Sequence, residues 1–78
     1  MATYSFPQFN VQIVNPTIYI NLNTIQDKAI DKLLSVLVVL STDTAEFGVI
    51  AEDMPYTETW DDDDIPGMVN IWLQQYEV

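Results

Sequence analysis

Lys32-Leu33-Leu34-Ser35-Val36-Leu37-Val38-Val39-Leu40-Ser41 is the stretch on which the fold turns. Taken with the residues before it, Ile25, Ala29, Ile30, Leu33, Leu34 and Leu37 fit one face of a helix over 24–40. Thr24 with Asp27 three residues on resembles a capping box, with Asp where Glu or Gln is usual. Against this, Val36, Val38 and Val39 are β-branched, and a run apolar on both faces suits a central buried strand. The preferred reading is a strand over about 32–41, preceded by a turn or one short helical turn over 24–31. A single helix over 24–40 is the competing reading.

The flanks support the strand. Upstream, Phe9, Val11 and Ile13 alternate with polar neighbours, and Ile18, Ile20 and Leu22 do the same after Asn15-Pro16. Two such runs around a turn signal predict a hairpin. Downstream, Thr42 to Ala45 reads as a loop and Phe47 to Ala51 as a strand, with Gly48 marking a bulge or a close backbone approach. Met54-Pro55 ends it, because proline cannot donate to a ladder. Asp61 to Asp64 then precede Ile65-Pro66-Gly67. Acidic residues and proline both favour a helix start. Ile65, Val69, Trp72 and Tyr76, with Met68 and Leu73 beside them, predict a helix over about 65–76. The expected class is α+β: one small domain, an antiparallel β-meander of about four strands with a C-terminal helix packed on one face.

The rest of the composition excludes chemistry. The chain has 78 residues, two lysines and 12 acidic residues, for a net charge of -10, and no histidine or cysteine. The basic residues are Lys28 and Lys32, so arginine is absent as well. Without cysteine there is no disulfide or thiolate nucleophile. Without histidine the commonest general base near neutral pH is missing. Without arginine there is no bidentate phosphate clamp, and direct nucleic-acid binding is not expected, since that affinity comes mainly from neutralising phosphates. The first residues carry no basic or apolar leader pattern. The apolar run Leu33 to Leu40 falls far short of the roughly 20 residues that span a bilayer. No membrane association is expected, and a cytoplasmic location in a host cell follows, or a virion if the chain is structural.

Charge is unevenly distributed. Residues 1–26 have no charged side chain, and beyond Lys32 no cation follows. Asp27, Lys28, Asp31 and Lys32 are spaced for local ion pairs, which at a surface contribute about 0–1 kcal/mol; they read as a solvated cluster. Asp61, Asp62, Asp63 and Asp64, extended by Glu52, Asp53 and Glu58, form the main anionic feature. One reading is a patch whose charge density imitates phosphates; the plain one is a solvated loop that caps a helix. An EF-hand fails, because Ile65, Pro66 and Trp72 occupy its fifth, sixth and twelfth positions, and no metal or other cofactor is expected. Glu52 with Asp53, or Glu58 with Asp61, are the pairs that carboxylate acid–base chemistry would use. A chain this short leaves little room for a substrate cleft, so no enzymatic activity is expected.

Aromatic residues flank the acidic loop. Tyr and Trp are favoured interface anchors, which suits Tyr56 and Trp60, while Trp72 is expected in the core. Hydrophobic residues make up 49% of the chain, more than so small a domain readily hides. Val14, Tyr19, Leu37 and Val39 are candidates for an exposed apolar face.

These features point to a small acidic binding protein. Its expected partner is a protein with a basic surface, such as a nucleic-acid-handling protein. That partner would be engaged by Glu52, Asp53, Tyr56, Glu58, Trp60, Asp61, Asp62, Asp63 and Asp64 in the manner of a nucleic-acid-mimic inhibitor, for example of the anti-CRISPR type. In size and charge the chain is similar to small acidic proteins of bacteriophages. The alternative is a structural subunit of a virion or other assembly, a homo-oligomer joined through the neutral N-terminal hairpin.

Overall fold

A computed structural model describes residues 2–78. Strands β1 (Thr3–Phe6) and β2 (Val11–Val14) form a two-stranded antiparallel sheet. Strands β3 (Thr17–Lys28), β4 (Leu33–Ser41) and β5 (Glu46–Pro55) form a three-stranded antiparallel meander. A 3-10 turn over Asp62–Asp64 leads into helix α1 (Ile65–Gln74). The α+β class is as expected, with five strands in two sheets instead of about four in one.

The stretch 33–41 is the central strand. Leu34, Val36, Val38 and Leu40 are buried on one face. Leu33, Leu37 and Val39 are half-buried on the other. A strand flanked on both sides is shielded by its neighbours, which explains why Leu37 and Val39 are less exposed than expected while Val14 and Tyr19 are open to solvent.

The expected hairpin across Asn15-Pro16 does not form. Val11–Val14 pairs with Thr3–Phe6, Tyr4 lying opposite Ile13. Phe9 belongs to the preceding turn, where the N–H groups of Phe9 and Asn10 both donate to the Phe6 carbonyl. Asn15 takes a left-handed φ of 46° and its N–H bonds back to Ala2. The chain therefore leaves one sheet and enters the other at Pro16. Asn is among the few side chains that tolerate this conformation. The expected hairpin of residues 9–22 is thus divided between two sheets.

Residues 24–28 also differ from expectation. They continue β3, and the turn is confined to 29–32, with Lys32 in a left-handed conformation (φ 56°). An irregularity hid the strand. Between the pairs Asn21–Leu37 and Gln26–Ser35, β3 uses three more residues than β4, which breaks the two-residue alternation. The expected Thr24 cap is not made. The Thr24 hydroxyl instead donates to the Asn21 carbonyl at 2.7 Å and accepts from the Leu37 N–H at 2.9 Å. It thus bridges two backbone groups that the bulge holds apart. Strand β5 is likewise longer than expected and reaches Pro55 through a second irregularity near Asp53.

Helix α1 buries Ile65, Val69 and Leu73 at i, i+4 spacing. It ends at Gln74, two residues short of the expected end. The N–H groups of Tyr76 and Glu77 turn back onto Leu73 and Gln74, and the tail then pairs beside β1 through Ser5–Tyr76 and Val78–Thr3 backbone bonds. The helix and the small sheet together cover the inner face of the meander. Phe6 lies at the junction, fully buried and stacked on Tyr76 with ring centroids 4.5 Å apart. Trp72 is half-buried against this aromatic group, 5.1 Å from Tyr76, so it shields the core while keeping one side in solvent. Among the described residues no helix is long and apolar enough to cross a membrane.

Candidate functional site

The acidic loop is built by local rules. Asp61 is the N-cap of the 3-10 turn. Its Oδ1 accepts from the Asp63 N–H at 2.9 Å, while Asp64 Oδ2 accepts from the Asp61 N–H at 3.0 Å. This reciprocal pair is a capping box made of two aspartates. The negative charges also sit at the positive end of the helix dipole. Asp61 and Asp64 thus hold the turn in place, and Asp62 and Asp63 are left exposed with no side-chain hydrogen bond among the described residues.

Tyr56 and Trp60, both half-buried, anchor the loop from its other end. The Tyr56 hydroxyl donates to Asp27 Oδ1 at 2.7 Å and the Trp60 indole N–H donates to Asp27 Oδ2 at 3.1 Å. Asp27 therefore accepts one bond at each carboxylate oxygen and pins residues 56–60 to β3. The Asp27 carboxylate holds the Tyr56 phenol above its ordinary pKa, because the hydrogen bond would be lost on ionisation. The reading of Asp27 as merely solvated is corrected by this pairing. Its spacing of 29 and 33 residues from its donors leaves no local signal.

Lys28 makes no local ion pair either. Its Nζ lies 3.1 Å from Asp53 Oδ1, and both side chains are more than half exposed. The hydrogen bond and charge of Asp53 raise the Lys28 pKa. Asp53 sits at the β5 irregularity with a left-handed φ of 56°, and its N–H reaches the buried Ser35 hydroxyl at 3.4 Å. One strand lies between the two partners, so the pair spans the full width of the meander.

The nine expected binding residues are thus separated by role. Asp53, Tyr56, Trp60, Asp61 and Asp64 are engaged within the fold. Glu52, Glu58, Asp62 and Asp63 are exposed with no such engagement among the described residues. Trp60, Asp61, Asp62 and Asp63 line one shallow depression of about 540 Å³. Glu52 and Asp53 line clefts along β5 and α1 instead, and Glu58 lines neither. Among the described residues no group of three or more acidic side chains is arranged to hold a metal ion.

The outer face of the meander is a second feature. Cross-strand partners share a face. Tyr19, Val39 and Gly48 therefore form one row and Asn21, Leu37 and Ile50 the next. Tyr19 and Ile50 are 61% and 55% exposed, so no second layer covers this face among the described residues. Comparison of the chain with known protein families, with curated protein sequences and with solved structures finds no match.

Proposed function

We propose that the chain is a non-enzymatic acidic binding protein whose carboxylates dock on the basic surface of a nucleic-acid-handling protein. They would stand where phosphates otherwise bind, as in an inhibitor of the anti-CRISPR type. The observation that carries this reading is the pair Asp62 and Asp63: two exposed, unengaged carboxylates on a turn held by its own capping box, beside the anchored Trp60. A turn whose backbone is held in advance loses less freedom on binding than a mobile tail. A net charge of -10 speeds encounter with a positive partner.

The test is capture of partners from the native host's lysate on the immobilised chain at low salt, followed by a double-stranded DNA wash. The reading expects a nucleic-acid-binding protein to be released by DNA. It also expects the partner to be lost from an Asp62→Asn/Asp63→Asn variant that keeps its fold. Retention through the DNA wash, or capture unchanged by the variant, contradicts it.

A second reading, an assembly subunit, is favoured by the open outer face with Tyr19, Leu37, Val39 and Ile50. It expects self-association that survives high salt in sedimentation; a monomer at high concentration in both low and high salt removes it.

A further inference from the structure

We infer that the free edge of β5 is a docking groove for an extended cationic segment of the partner, which adds as a fourth strand of the meander. The inference rests on the reading of the chain as an acceptor of basic partners and names the element that accepts.

Strand β5 pairs with β4 on one side only. Among the described residues, none of β5 takes part in the backbone hydrogen bonds made outside the strand ladders, so its other edge offers N–H and C=O groups for pairing. A cleft of about 450 Å³ runs along that edge. It is lined by the buried inner-face residue Val49 as well as by Gly48 and Ile50 of the outer face. The opposite wall is formed by Gln8, Phe9, Trp72, Gln75 and Tyr76, so the edge borders a groove. Trp72 forms a wall of this cleft and of a second one, about 160 Å³, bounded by Met54, Pro55, Met68 and Ile71. The second cleft is apolar and includes two methionines, which adapt readily to a guest side chain.

Charge selects the occupant. Glu46 and Glu52 lie along β5 and are exposed, whereas the Asp53 carboxylate is taken up by Lys28. A second copy of this acidic chain would meet like charges at that edge, whereas a lysine- or arginine-bearing strand meets opposite ones. Glu46 to Ala51 pairs regularly with Val36 to Ser41, giving six residues, or roughly 20 Å, of edge for a ladder. Backbone bonds would supply affinity and the alternate side chains selectivity. A segment alternating cationic and apolar residues fits, with a large apolar side chain in the recess beside Ile71.

The probe is the capped peptide Lys-Leu-Lys-Val-Lys-Leu-Lys-Phe, compared with octalysine on the intact chain. The alternating peptide is expected to bind at least about tenfold tighter. Ile71 is 71% exposed on α1, so Ile71→Glu leaves the core intact and adds attraction for lysine while spoiling the recess. It is expected to weaken the alternating peptide about tenfold. Backbone N-methylation at one alternate set of peptide residues should abolish binding and at the other set should not. Equal affinity for the two peptides, unchanged or tighter binding to the Ile71→Glu variant, or equal effects of the two methylation sets each overturn the inference. Asp62 and Asp63 line a separate depression with no β5 residue in it, so Asp62→Asn/Asp63→Asn should leave the ratio of the two peptide affinities within about twofold. If the peptide fails while DNA-displaceable capture still depends on Asp62 and Asp63, the groove falls alone. If the peptide binds while DNA releases nothing, the phosphate-imitating reading falls alone.

Discussion

Asp27 and Trp60, 33 positions apart, are joined by an indole N–H donated to carboxylate Oδ2 at 3.1 Å. Tyr56 takes the other carboxylate oxygen. A single β3 side chain thereby orders the loop that leads into the acidic turn. Replacing Asp27 with alanine should free that loop without touching the core. The expected result is a red-shifted Trp60 emission, read in a Trp72→Phe background, with a fall in melting temperature of roughly 5 °C or less. Unaltered emission would show that the loop is ordered by something else.

The Thr24 hydroxyl bridges Asn21 and Leu37 across the β3 irregularity. Thr24→Val keeps the shape and removes both bonds. It should cost about 1 kcal/mol in denaturant unfolding and speed amide exchange at Leu37. Thr24→Ser should restore both properties. Equal stability of all three forms would mean that water replaces the hydroxyl at no cost.

Phe6 is fully buried where both sheets and the helix meet, while Ile50 is 55% exposed on the outer face. Phe6→Ala should cost about 3–5 kcal/mol. A domain of this length holds roughly 4–12 kcal/mol in total, so the variant should lose a large share of its stability and melt far below the parent. Ile50→Ala on the monomer should stay within about 0.5 kcal/mol. Circular dichroism melts separate the two outcomes.

Alkaline pH should loosen both cross-strand ties. The folded pKa values of Tyr56 and Lys28 are raised by Asp27 and Asp53 respectively. For both groups the protonated form is the one the fold favours. Their contribution is therefore complete below the unfolded pKa values, near about 10, and is lost as pH rises through the folded ones. Tyrosinate absorbance of Tyr56 should appear at lower pH in Asp27→Asn than in the parent chain. An identical titration in both would remove the assignment of Asp27 as the cause.

The sequence carried some of these elements openly and concealed others for physical reasons. Leu33 to Leu40 is apolar on both faces and β-branched in part, which suits a central strand, and Ile65, Val69 and Leu73 repeat with the period of a helix. The far half of β3 was hidden because its three extra residues break the alternation after Asn21. Strand β1 was hidden because Tyr4 and Phe6 give only one repeat before Pro7. The partner of β2 could not be read from Asn15-Pro16, since a turn signal does not say whether the chain folds back or crosses to another sheet. The acidic loop and its aromatic neighbours were visible by composition. The division into Asp61 and Asp64, which cap, and Asp62 and Asp63, which do not, needs the hydrogen bonds. Asp27 carried no signal because its partners are remote in sequence.

The central proposal is that carboxylates on a capped turn take the place of phosphates on a basic protein. The most direct measurement is the salt dependence of affinity for the DNA-displaceable partner, with the parent chain and with Asp62→Asn/Asp63→Asn. A steep loss of affinity with salt for the parent, and a shallower slope with much weaker binding for the variant, is the predicted result. Affinity that ignores both salt and the two substitutions would contradict it.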